Sequence, residues 1–177
     1  VNFAHGEFLM VGMYAGPLFA SMTGMDTLAS LPFAALIGFI LGILCYYGLV
    51  KYLLRGPMIA QLFGTFGLML LLRNLALLIF GSEPRIAHHG ILVGRSFVVG
   101  SGIVVEATKL AAAVLSIALF VVVSWILNHT KVGKALTATA LNAEAARYMG
   151  IPTEKMNALA WGIGGATVTI CGALLVN

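Results

Sequence analysis

The chain has 177 residues, 60% of them hydrophobic and 9% charged, and its mean hydropathy is +1.03. Soluble domains carry about 25% charged residues, so this composition excludes an ordinary soluble enzyme or binding domain and points to an all-α polytopic membrane protein. The net charge of +4 is spread over the ends of apolar runs and forms no basic stripe. That pattern names the lipid bilayer as a partner and argues against nucleic acid.

A spanning helix needs about 20 mostly apolar residues. Five windows approach this: Phe3 to Met22, Pro32 to Leu53, Ile59 to Phe80, Leu110 to Asn128 and Met156 to Val176. Turn formers separate them, including Thr23-Gly24-Met25-Asp26, Arg55-Gly56-Pro57, Gly81-Ser82-Glu83-Pro84 and Gly150-Ile151-Pro152. The chain enters its first apolar run directly from Val1-Asn2, without an initiator Met or a cleavage site, and Asn177 follows the last run. Residues 1–177 are therefore expected to be part of a longer transmembrane domain. Small residues recur four apart, as at Gly12 and Gly16, Gly38 and Gly42, and Ala158, Gly162 and Ala166, which predicts close helix packing.

The first window opens on Asn2-Phe3-Ala4-His5-Gly6-Glu7. His5 and Glu7 are too polar to face lipid, and Gly6 weakens a helix. Irregular backbone at membrane depth is tolerated only where it is buried in protein or lines a cavity. Two readings stand: an element of a translocation path with Asn2, His5 and Glu7, or a cytoplasmic loop. In the third window Arg73-Asn74 lies seven residues before Phe80, about 10 Å from that end. A charge at mid-membrane costs about 2.5–3.5 kcal/mol on insertion scales. Arg73 and Asn74 belong either to a water-filled path or ion pair, or to a helix displaced towards the headgroups.

Residues 81 to 109 hold several glycines and short β-branched runs, suited to a small hairpin or a surface helix. Cys45 and Cys171 lie inside apolar runs, without metal or disulfide spacing. His5-Gly6-Glu7 lacks the His-Glu-x-x-His spacing, His88 and His89 are adjacent and point apart, and His129 is alone. No catalytic or metal site is expected. Gly133-Lys134-Ala135 lacks the upstream Gly and the hydroxyl of a phosphate loop, so the chain does not bind ATP by that route and no cofactor is expected here.

Lys51, Arg55, Lys131, Lys134, Arg147 and Lys155 fall on one side of this arrangement, and Arg85, Arg95 and Lys109 on the other. Six against three places the loop from 129 to 155 in the cytoplasm. Within it, Leu141 to Met149 reads as a short helix: Asn142 as N-cap, Glu144 in the first turn, Arg147 in the last, Gly150 at a left-handed C′ position and Pro152 as the stop. Thr153 is then expected to cap the last span.

Four stretches together resemble the permease subunits of bacterial branched-chain amino acid ABC importers. They are Asn2 to Glu7; Gly64-Thr65-Phe66-Gly67 running into Leu71-Leu72-Arg73-Asn74; Thr130 to Ala135; and Asn142 through Gly150-Ile151. The last is similar to the Glu-Ala-Ala loop that docks into the ATPase of ABC importers. The chain departs from the general pattern beyond Gly150, where Ala160-Trp161-Gly162-Ile163 replaces an Ile-x-Leu-Pro ending. The resemblance implies a multi-pass permease subunit of the bacterial inner membrane, with no enzyme activity of its own. Its partners would be cytoplasmic ABC ATPase subunits, a second permease subunit and a periplasmic substrate-binding protein. Glu144, Ala145, Ala146 and Gly150 would couple to the ATPase. The rival readings are a urea or short-amide ABC permease, an ion-coupled secondary carrier favoured only by Arg73 with Glu7, and a membrane enzyme.

Overall fold

The computed structural model describes residues 2–24, 27–54, 56–81, 96–99 and 103–176. Helix α1 spans His5–Thr23 and is followed by a 3-10 turn, Thr27–Ser30. The second span, Leu31–Leu53, runs without a break through α2 (Leu31–Cys45), a π-helical segment (Tyr46–Val50) and the closing turn α3 (Lys51–Leu53). Then come α4 (Met58–Phe80), strands β1 (Ser96–Val99) and β2 (Ile103–Glu106), α5 (Ala107–His129), α6 (Lys131–Leu141), α7 (Ala143–Tyr148) and α8 (Thr153–Leu175). The two strands form an antiparallel hairpin with Ser96 opposite Glu106, which resolves the choice between hairpin and surface helix. His88 and His89 lie outside the described residues.

The fold is that of an all-α polytopic membrane protein. Among the described residues, four helices are long and apolar enough to cross a bilayer: Leu31–Leu53, Met58–Phe80, Ala107–His129 and Thr153–Leu175. The fifth expected window, α1, is helical but is not among these four, and it packs against α2 and α8.

Three helices, α1, α2 and α8, make the core. Their contact is backbone on backbone. A Cβ on Gly38 would collide with the Gly165 carbonyl, one on Gly42 with the Trp161 carbonyl, and one on Gly172 with the Leu9 carbonyl. In lipid, water supplies no hydrophobic drive between helices, so small residues that allow dense packing decide which helices associate. Thr169, fully buried on α8, adds an interhelical hydrogen bond by donating to the Ala34 carbonyl at 2.9 Å. Further along, Ala15, Ala34 and Ala173 pack together.

The partners fix the helix directions. On α8, Thr169 meets Ala34, Trp161 meets Gly42 and Glu154 pairs with Lys51, so α2 and α8 are antiparallel. Phe8 lies beside Gly165 and Gly12 beside Thr169, so α1 runs parallel to α8 but is offset along it. His5 and Asn2 stand level with Trp161, about 12 Å along α8 from Thr153 at about 1.5 Å per residue. Helix α4 joins through Leu68 and Leu72, which pack with Phe8 and Cys45, and through stacking of Tyr14 on Phe80 at 4.4 Å.

Candidate functional site: a surface connector and an intramembrane cavity

The connector begins at the end of α5. Thr130 caps α6 by accepting from the Gly133 amide at 3.0 Å. Gly133 is required there, because a Cβ would strike the carbonyls of Ile126 and Leu127 at the α5–α6 corner. Gly133, Leu136 and Thr139 are the buried face of α6. The sequence reading missed α6 as a helix. Its signals were the Thr130 cap and that three-residue spacing.

Asn142 ends α6 in extended backbone and caps α7, its Oδ1 accepting from the amides of Glu144 (3.1 Å) and Ala145 (2.9 Å). At the other end Gly150 takes a left-handed φ of +79°. The Gly150 amide donates to the Arg147 carbonyl and the Ile151 amide to the Ala146 carbonyl, both at 3.0 Å, which is the Schellman closure. The expected short helix is present, but Leu141 belongs to α6 and α7 runs only Ala143–Tyr148. Thr153 is not a cap: it is the first helical residue of α8, buried, with Pro152 at the N-cap and no side-chain bond to the helix end.

The outer face of α7 is exposed. Glu144, Ala145 and Arg147 face solvent, Tyr148 and Met149 are each 82% exposed, and Leu141 before them is 83% exposed. The Tyr148 hydroxyl donates to Glu144 Oε1 at 3.3 Å. Ala146 differs: at 4% exposure it is the buried residue of α7 and anchors the helix instead of presenting it. Beyond Pro152, Glu154 forms an ion pair with Lys51. Tyr46, Val50 and Ala158 pack together at the same level, with Trp161 against them. Thus α7 leads directly into the helix that carries the core and is tied to the end of the second span.

The second feature is a cavity of about 240 Å³ between the start of α1 and the middle of α8. Asn2, His5 and Phe8 line it from one side, and Trp161, Gly164 and Gly165 from the other. Asn2 Oδ1 accepts from the Ala4 amide at 3.0 Å, which holds the turn leading into α1. Asn2, in the irregular segment before α1, therefore lines a cavity, the circumstance in which such backbone is tolerated in a membrane-spanning bundle. Glu7 is on the same turn of α1, half-buried, and is not among the lining residues.

Arg73 and Asn74 are elsewhere. Both are exposed on α4, away from the cavity, and Asn74 Nδ2 donates back to the Leu70 carbonyl at 2.7 Å. Among the described residues the ion pairs are Lys51–Glu154 and Lys109–Glu106, so Arg73 and Glu7 are not paired. The structure thus brings Asn2 and His5 together and leaves Arg73 and Asn74 apart from them.

A family model described as the permease component of the branched-chain amino acid transport system matches residues 1–177. The chain belongs to this permease family. It is 27% identical to the high-affinity branched-chain amino acid permease protein LivH of Salmonella typhimurium, over 99% of this chain and 60% of the relative. It is 26% identical to a probable LivH of Methanocaldococcus jannaschii, over 98% of this chain and 56% of the relative. It is also 25% identical to the autoinducer 2 import permease LsrC of Yersinia pseudotuberculosis, over 87% of this chain and 41% of that protein. The chain therefore spans about 60% of the length of the LivH relatives it matches. No solved structure gives a significant match. The matched relatives are named as transport permeases, not enzymes.

Proposed function

We propose that this chain is part of the membrane-spanning subunit of an ATP-driven importer that carries branched-chain amino acids across the bacterial inner membrane. ATP would be bound by cytoplasmic ATPase subunits. A second permease subunit would complete the path, and a periplasmic binding protein would deliver the substrate. The observation that carries the reading is α7: a helix closed at both ends, exposed on its outer face and continuous with the core through α8. The excess of Lys and Arg on its side of the bundle supports a cytoplasmic position. Glu144 and Ala145 form the contact surface, while Ala146 and Gly150 hold its shape.

Crosslinking tests this. Ala146 is buried, so the cysteine belongs at Ala145 or Tyr148. In the assembled transporter, Ala145→Cys is expected to form a disulfide with a cysteine placed in the ATPase cleft, with a yield that changes between nucleotide-free and ATP-bound states. Absence of any crosslink from either position in an assembled, active complex overturns the proposal.

The match to an autoinducer 2 permease favours a second reading, in which the cargo is a small solute other than an amino acid; urea or a short amide is the alternative that the sequence leaves open. The ligand that raises the melting temperature of the associated binding protein separates the two. An ion-coupled carrier would instead transport in ATP-depleted vesicles under an ion gradient.

A further inference from the structure

The cavity between α1 and α8 has a composition that selects a ligand class. Phe8, buried, and Trp161, half-buried, supply apolar walls, while Asn2 and His5 supply polar groups at one side. Its volume of about 240 Å³ is at the small end of ligand pockets, which run from about 300 Å³ upward, and suits a solute of the size of valine or leucine. The cavity lies beside residues 160 to 165 of α8, away from either helix end.

One lining position stands apart. A Cβ on Gly165 would collide with the Gly38 carbonyl, so that glycine is needed for packing. A Cβ on Gly164 would meet nothing within 4 Å. Gly164 is therefore not required by the contact between helices, and the space it leaves open belongs to the cavity.

We propose that this cavity is a station on the substrate path that holds the branched aliphatic side chain of the transported amino acid between Phe8 and Trp161, with Gly164 setting how large that side chain can be. Asn2 and His5 face the polar end of the solute. The inference rests on the reading of the chain as an amino acid permease and adds a size-determining residue to it.

The test uses the complete transporter in proteoliposomes, with leucine and valine each supplied on saturated binding protein. Gly164→Ala adds one methyl group to the cavity, and one methylene in an apolar pocket is worth about tenfold or more in discrimination. Leucine uptake is expected to fall about tenfold relative to valine. Equal loss for both amino acids, or no change in either, overturns the inference while leaving the permease reading intact. Failure of the unmodified transporter to take up either amino acid overturns that reading itself, and the inference with it. A second measurement is independent of uptake. In a Cys45→Ala, Cys171→Ala background, Gly164→Cys is expected to react with a small methanethiosulfonate reagent and to be protected by leucine on its binding protein. Labelling that leucine leaves unchanged counts against the station.

Discussion

Helices α8 and α5 are the same length, 23 residues each, and both are long and apolar enough to span a bilayer, yet they live in different surroundings. Helix α8 buries Ala158, Gly162, Gly165, Thr169, Gly172 and Ala173 in backbone-close contact with α1 and α2. Helix α5 buries only Ala107 at its start, and Ile117, Phe120, Val121 and Trp125 are exposed along it. Helix α5 is the more apolar of the two, yet it is the less buried, because lipid is as apolar as leucine and the placement of small residues decides which helices pack. Helix α4 is intermediate. It touches the core through Leu68 and Leu72, but an apolar groove of about 620 Å³ opens between it and α2, flanked by Gly48, Gly64 and Gly67.

This contrast can be broken at its strongest point first. Gly165→Leu drives a side chain into the Gly38 carbonyl. It is expected to destabilise the purified protein by about 3 kcal/mol, read as a large drop in thermal midpoint and in the monodisperse yield in detergent. A smaller effect is expected from Thr169→Val, which keeps the shape and removes the bond to the Ala34 carbonyl. Interhelical side-chain bonds in membranes average about 0.6 kcal/mol, so a fall in stability of that order is expected. Smallest of all is Ala118→Leu on the exposed face of α5. It makes the same kind of enlargement as Gly165→Leu but should leave stability within about 0.5 kcal/mol. A loss comparable to that at Gly165 would mean that the two helices are packed alike.

Much of this was legible in the residues. The apolar windows located the long helices to within a few positions, since length and hydropathy follow directly from the solvent they must satisfy. Asn142 and Gly150 marked the ends of α7 because capping is a local interaction between near neighbours. Local rules failed where a tertiary contact decided the outcome. Thr153 has the chemistry of a cap but is buried as the first helical residue of α8. Ala146 looks like part of an exposed Glu-Ala-Ala surface but faces inward. Arg73 suggested a water-filled path or an ion pair inside the bundle, yet the depth and rotation of α4 relative to α1 depend on packing at Phe3–Phe66 and Tyr14–Phe80, which no single window encodes. The cavity was half visible. Asn2 and His5 stood out as polar groups in an apolar run, but Trp161 and Gly164 become lining residues only through the parallel, offset register of α1 against α8.

The closure of α7 has a further consequence. Its outline is fixed by Asn142 at one end and Gly150 at the other, with the bonds between them made almost wholly by main chain. Glu144, Tyr148 and Met149 stand outside that scaffold. Form and address are thus written in different letters. A mutation at Asn142 or Gly150 deforms the connector, whereas changes at the outer residues rewrite what it fits while its geometry persists. If α7 docks as proposed, related chains can diverge in the surface they match and still pass the same displacement to the helix that follows.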